Sequence, residues 1–186
     1  MSFDVICLIA EWAPAVAACR ASHGTDFYWD APESPDGSVV LPFAIERWRR
    51  GFDFIEAGFY YEILRPQLPG QLRDEADAFL GCIYDDLGQG CPEPPEDLAD
   101  DAGIELEEYE THYSMRPAMV RAVLERARSV SWPGIEQAAV RAAMPARTTR
   151  YDVRDMEHFR RIVGMQETWL AEAARTGRGL IVMLSR

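Results

Sequence analysis

The stretch from Tyr151 to Ser185 constrains the fold more than any other part of the chain. Apolar residues recur at Val153, Met156, Phe159, Val163, Leu170 and Ala173, with Ile162 and Trp169 widening the stripe. That is the spacing of one helix face, about 3.6 residues per turn. Asp152 is placed to cap the start, and Gly177 suits the left-handed residue just past the end. Leu180-Ile181-Val182-Met183-Leu184 follows, too short for a buried helix and too apolar for an exposed strand. It reads as a strand covered on both faces.

A second apolar run, Phe3 to Ile9, reads as another strand. The two terminal strands are expected in one sheet, as neighbours, which brings the ends of the chain together. Trp12 to Ser22 reads as a helix with Pro14 in its first turn. His23 to Gly37 is a loop carrying the aromatic cluster Phe27-Tyr28-Trp29. Between Leu41 and Leu64, Ile45, Trp48, Phe52, Ile55 and Phe59 step by three or four, predicting one or two helices with a break near Gly51 or Gly58. Glu46, Arg47, Arg49 and Arg50 would form their solvated face. Arg73 to Leu87 is predicted helical, with Asp74, Glu75 and Asp77 mostly outward. Ser114 to Val130 follows the same period, with Ser114 as cap and Pro117 near the start, and Pro133 to Met144 makes a further short helix. The expected fold is α+β: a single helix-rich domain, residues 1–186, with a small sheet containing both terminal strands.

Charge divides the chain sharply. Residues 1–114 hold 6 Arg against 24 Asp and Glu, a net −18, whereas 115–186 hold 13 Arg against 7 acids, a net +6. Nine acids and no base fall between Glu93 and Glu110. Such density predicts a solvated acidic loop insertion at about 88–113 rather than a packed element. The overall −12 repels phosphate backbones, so nucleic-acid binding is not expected. No apolar run reaches the roughly 18 residues of a membrane span, and Asp4 and Glu11 interrupt any secretory signal. A cytoplasmic setting follows as the default.

Catalytic signatures are sparse. All nineteen basic residues are Arg, so a phosphate-binding loop that requires Lys is excluded. There is no G-x-S-x-G elbow, and Gly177-x-Gly179 follows a helix, the wrong end for cradling phosphate. Cys7, Cys19, Cys82 and Cys91 form no C-x-x-C pair, so buried free thiols are expected, without disulfide or cysteine-held metal. Glu105, Glu108 and His112 would share a helix face, and Asp155 and His158 lie three apart, but neither set gives the ligand pairs of a metal site. The paired carboxylates Asp85-Asp86, Asp100-Asp101 and Glu107-Glu108 point apart rather than into one cleft. No cofactor is expected.

Ile45-Glu46-Arg47-Trp48 with Phe52 to Phe59, and the ending from Asp155-Met156-Glu157 through Gly177, Gly179 and Leu180 to Ser185, resemble the small bacterial proteins of the YfbM-like family. The resemblance covers about a third of the chain. It implies a compact α/β domain and brings no catalytic residues with it.

Two functional expectations follow. The first is a non-enzymatic, immunity- or antitoxin-like binding protein, engaging a basic protein partner through Asp100, Asp101, Glu105, Glu107, Glu108 and Glu110. The second is a small-ligand protein or hydrolase-type enzyme. Its cleft would be lined by Trp29, Trp48, Tyr60, Tyr61 and His112, with carboxylates as acid and base.

Overall fold

The computed structural model describes residues 4–35, 39–50, 53–84, 98–105, 113–142 and 155–185. In chain order the elements are β1 (Asp4–Ala10), α1 (Trp12–Ser22), α2 (Asp26–Trp29), β2 (Ala44–Arg50) and α3 (Asp53–Leu64), then a 3-10 turn at Arg65–Gln67. There follow α4 (Gly70–Leu80), α5 (Leu98–Ala102), β3 (Tyr113–Met115), α6 (Pro117–Ser129), α7 (Trp132–Arg141), α8 (Met156–Thr176) and β4 (Gly179–Ser185). The class is α+β and helix-rich, with one antiparallel sheet ordered β2-β1-β4-β3 that holds both terminal strands side by side. The chain gathers into two compact units. One comprises Met1–Arg50, Pro95–Arg121 and Trp169–Arg186; the other comprises Gly51–Pro94 and Ala122–Thr168.

The first unit is built on the sheet. Pairing of Ile6 with Met183 and Leu8 with Ile181 puts these four on one face, where they pack with Ala15 and Cys19 of α1, Tyr28 of α2, and Leu98 and Ala102 of α5. Val5, Cys7 and Ile9, alternating with them, share the other face with Leu180 and Val182. Leu180 to Met183 are all fully buried, as a strand covered on both faces must be. At the end of α8, Gly177 takes φ +67°. The Gly177 amide then donates to the Ala174 carbonyl and the Arg178 amide to that of Ala173, closing the helix into β4. The cap at its start is Asp155, whose Oδ1 accepts from the His158 backbone amide at 2.8 Å. Asp152, expected in that role, lies outside the described residues.

Three expectations about this unit are overturned. Residues 44–50 are a strand rather than a helix, paired with β1 from Ala44–Ala10 to Arg50–Asp4. The three-residue step from Ile45 to Trp48 imitates helical period, but strand pairing beside β1 decides the matter. An edge strand also tolerates charge, because half of its backbone lacks a partner strand. The second correction is Ser114, which does not cap α6: it sits in β3, and its Oγ accepts from the Leu98 amide at 2.8 Å. Pro117 itself opens α6, where its missing N–H costs nothing. Third, part of the expected acidic insertion is a packed element. α5 buries Leu98, Ala99 and Ala102, while residues 88–97 and 106–112 lie outside the described set.

The second unit is aromatic at its centre. Tyr60 stacks on Phe159 at 5.1 Å, with Tyr61 and Trp132 at 6.4 and 6.3 Å from the same ring. Phe54 meets Tyr84 at 5.0 Å, next to Gly58. Asp77, expected outward, is buried on α4 and paired with Arg65. Cys82, expected as a free thiol, is disulfide-bonded; Cys91 lies outside the described residues. Cys7 and Cys19 are buried, and neither is in a disulfide. No described helix is long and apolar enough to cross a membrane.

Candidate functional site

The acidic residues placed by the structure are presented by α5, and α5 is held by α1. The Trp12 indole donates from Nε1 to Asp101 Oδ2 at 2.6 Å. Arg20 donates from Nε to the Ala102 carbonyl at 2.9 Å and from its terminal nitrogen to the Asp101 carbonyl at 3.1 Å. A cation on the last carbonyls of a helix satisfies groups that have no partner within it. Gly103, at φ +68°, turns the chain so that the Ile104 amide closes onto the Ala99 carbonyl. Asp100 and Glu105 are left exposed, whereas Asp101 is partly buried by its bond to Trp12. Glu107, Glu108 and Glu110 lie outside the described residues.

A second acidic face surrounds α2. Asp26, Asp30 and Glu33 are exposed, and Trp29 between them is 51% exposed. Beneath it, Tyr28 is buried and donates to Glu46 Oε1 at 2.8 Å, while the other Glu46 oxygen accepts the Val39 amide at 2.8 Å. Burial, the bond to the Glu46 carboxylate and the nearness of Glu33 push the Tyr28 hydroxyl well above its ordinary titration range. On the opposite sheet face Arg47 forms a two-pronged pair with Glu172 at 3.1 and 2.5 Å. Burial drives the adjacent Cys7 thiol upward, and Glu172 adds to that while Arg47 opposes it. A thiol held protonated in this way is inert as a nucleophile.

The residues proposed to line a ligand cleft are distributed as follows. Trp29 and Trp48 belong to the first unit, Trp48 facing Ile6 in the β1–β2 register; the Trp48 side chain is outside the described set. Tyr60 and Tyr61 are buried in the second unit. His112 is outside the described residues. The Tyr61 hydroxyl donates to Asp77 Oδ1 at 2.7 Å, and Arg65 grips the same carboxylate through Nε and a terminal nitrogen at 2.6 and 2.7 Å. Burial first, and then this hydrogen bond, raise the Tyr61 hydroxyl well above its ordinary titration range. A neutral phenol and a guanidinium around one carboxylate lock α3, the turn after it and α4 together. Among the described residues no group of three or more His, Cys, Asp or Glu side chains is arranged to hold a metal ion.

Sequence reasoning missed Trp12 and Arg20 as the supports of α5, and Glu46 as the support of Tyr28. The first two act across more than eighty residues of chain, a separation at which no periodic signal exists. No family model matches the chain, and neither the curated proteins nor the solved structures contain a match to it.

Proposed function

We propose that the protein is a non-enzymatic binding protein, immunity- or antitoxin-like in character, whose acidic surface engages a basic protein partner. The observation that carries this reading is the fixed presentation of Asp100 and Glu105. Both reach solvent from a segment that is capped at its end and tied to α1 by Trp12 and Arg20. Preorganised charge of one sign accelerates encounter with an oppositely charged partner and helps select it. Glu107, Glu108 and Glu110 follow Glu105 in the sequence and add three charges in this reading, and the net −12 of the chain gives it long-range reach.

Affinity capture at low and high salt identifies the partner, and association kinetics test the mechanism. Reversing the charges at Asp100, Glu105, Glu107, Glu108 and Glu110 should slow association at low salt by about tenfold or more, and the difference should shrink as salt screens it. An on-rate unchanged at low salt would sink the proposal.

A cytoplasmic setting and kinship with the YfbM-like family belong to the same proposal. Kinship rests on the Ile45–Trp48 segment and the α8–β4 ending. The setting is checked at Cys82, which is buried and disulfide-bonded here: a reducing compartment keeps such thiols open, so alkylating the acid-quenched, denatured chain should label it. Complete protection would argue for an oxidising compartment instead.

A further inference from the structure

Within the first unit, one exposed feature stands apart from the acids of α5. Four large apolar residues are conspicuously exposed among those described, namely Trp29, Val40, Phe59 and Val140. Val40 is tied back to the segment that follows Trp29. The Val40 amide donates to the Pro32 carbonyl at 2.9 Å, and Glu33 bridges to Val39. Trp is on average a highly buried residue, and it is enriched where partners dock.

Trp29 is also braced. Its ring meets Tyr28 edge-on, centroids 4.8 Å apart at 86°. Tyr28 is anchored in turn by Glu46, whose second oxygen holds the Val39 amide on the strand side of the same loop. An aromatic group held by such a chain of contacts is preorganised, so little ordering is needed when something lands on it. The surroundings specify what can land. From Ala21 to Glu46 the chain has five acids and no Arg. Asp26, Asp30 and Glu33 are exposed, and none forms an ion pair among the described residues.

We propose that Trp29 anchors the partner-binding surface, and that its occupant is a basic segment of a protein partner. That segment lays an Arg or Lys side chain over the indole while Asp26, Asp30 and Glu33 receive the flanking positive charge. The inference rests on the acidic-surface reading and extends it from α5 to α2, both of which pack with α1 around one core. Cations are attracted to the negative face of an indole, and guanidinium adds planar stacking. Arg-rich segments should therefore bind better than Lys-rich ones of equal charge.

The test uses the full chain with nona-arginine, nona-lysine and nona-glutamate peptides, followed through the indole N–H signals of the five tryptophans. The Trp29 signal is identified by its loss in Trp29→Phe. Nona-arginine should shift that signal saturably, nona-lysine should do so more weakly, and nona-glutamate should leave it in place. Affinity should fall about tenfold in Trp29→Ala and also in the combined Asp26→Asn, Asp30→Asn, Glu33→Gln variant. All three positions are solvent-facing, and an unchanged melting temperature confirms that these variants fold. A stationary Trp29 signal with peptide still bound, and binding lost in Asp100→Asn with Glu105→Gln, overturns this inference and leaves the α5 reading standing. No binding of either basic peptide overturns both.

Discussion

Gly179 lies so close to Trp12 that a Cβ on the glycine would sit 2.3 Å from the indole Cε3 and 2.9 Å from the Met115 carbonyl oxygen. The glycine that opens β4 therefore exists for packing. The same indole that presses on Gly179 reaches Asp101 with its N–H, so one side chain positions both the end of the sheet and the acidic helix α5. Gly179→Ala should destabilise the protein by about 1–3 kcal/mol, the usual cost of overpacking, as read from the urea midpoint. A midpoint unchanged by the added methyl would show that Trp12 moves aside freely.

The Asp77 cluster makes a different prediction. Asp77→Ala strands the buried Tyr61 hydroxyl and removes the carboxylate from Arg65. Losing a charge-assisted pair and orphaning a buried donor should cost about 2–3 kcal/mol. Tyr61→Phe leaves the Arg65–Asp77 pair intact and should cost about 1 kcal/mol. Equal losses in the two variants would contradict this ordering.

Tyr84 should respond in the opposite direction. Its hydroxyl is buried and makes no hydrogen bond among the described residues, so it bears a desolvation cost without compensation. Tyr84→Phe removes that oxygen while keeping the ring against Phe54. Thermal unfolding should show a gain of up to about 1 kcal/mol, and a clear loss would reveal a partner for the hydroxyl in solution.

Alkaline pH exposes the same buried phenols collectively. Burial raises the hydroxyls of Tyr28, Tyr61 and Tyr84 above the ordinary value of 10.0, with carboxylates adding to the first two. A group whose folded value is raised contributes in full below the unfolded value. Stability should therefore be flat in this respect up to about pH 10 and fall as pH climbs further. Tyrosinate absorbance gives the readout: of seven tyrosines, these three should stay silent until the chain unfolds. Full ionisation of all seven in a still-folded protein would refute the burial argument.

Where periodicity is long and local, the fold was legible. The α8 stripe, Gly177 and the apolar run of β4 were all readable, because twenty-odd residues repeat one pattern and a glycine stands at its end. β2 was not, since a seven-residue strand with Ile45 and Trp48 three apart carries too little pattern to outweigh a helical reading. Asp77 misled for a related reason. Its acidity suggests solvent, and only Tyr61 from the preceding helix and Arg65 from the turn after it make burial tolerable. At the candidate site, Asp100 and Glu105 were foreseeable from charge density, and Trp29 from its neighbours. The supports Trp12, Arg20 and Glu46 were invisible because their partners are set by tertiary contact.

The pairing of β1 with β4 also governs the order in which the molecule can assemble. Val5 to Ala10 is made before both of its partners: β2 follows about forty residues later, but the other flank stays open until Gly179 to Ser185 arrives. Everything between the two strands must be made before that loop can close, and contacts so distant in sequence form slowly. During synthesis a largely apolar strand thus carries an unpaired edge, the moment at which a nascent chain is most exposed to mispairing with a neighbour. Loss of β4 would make that transient state permanent.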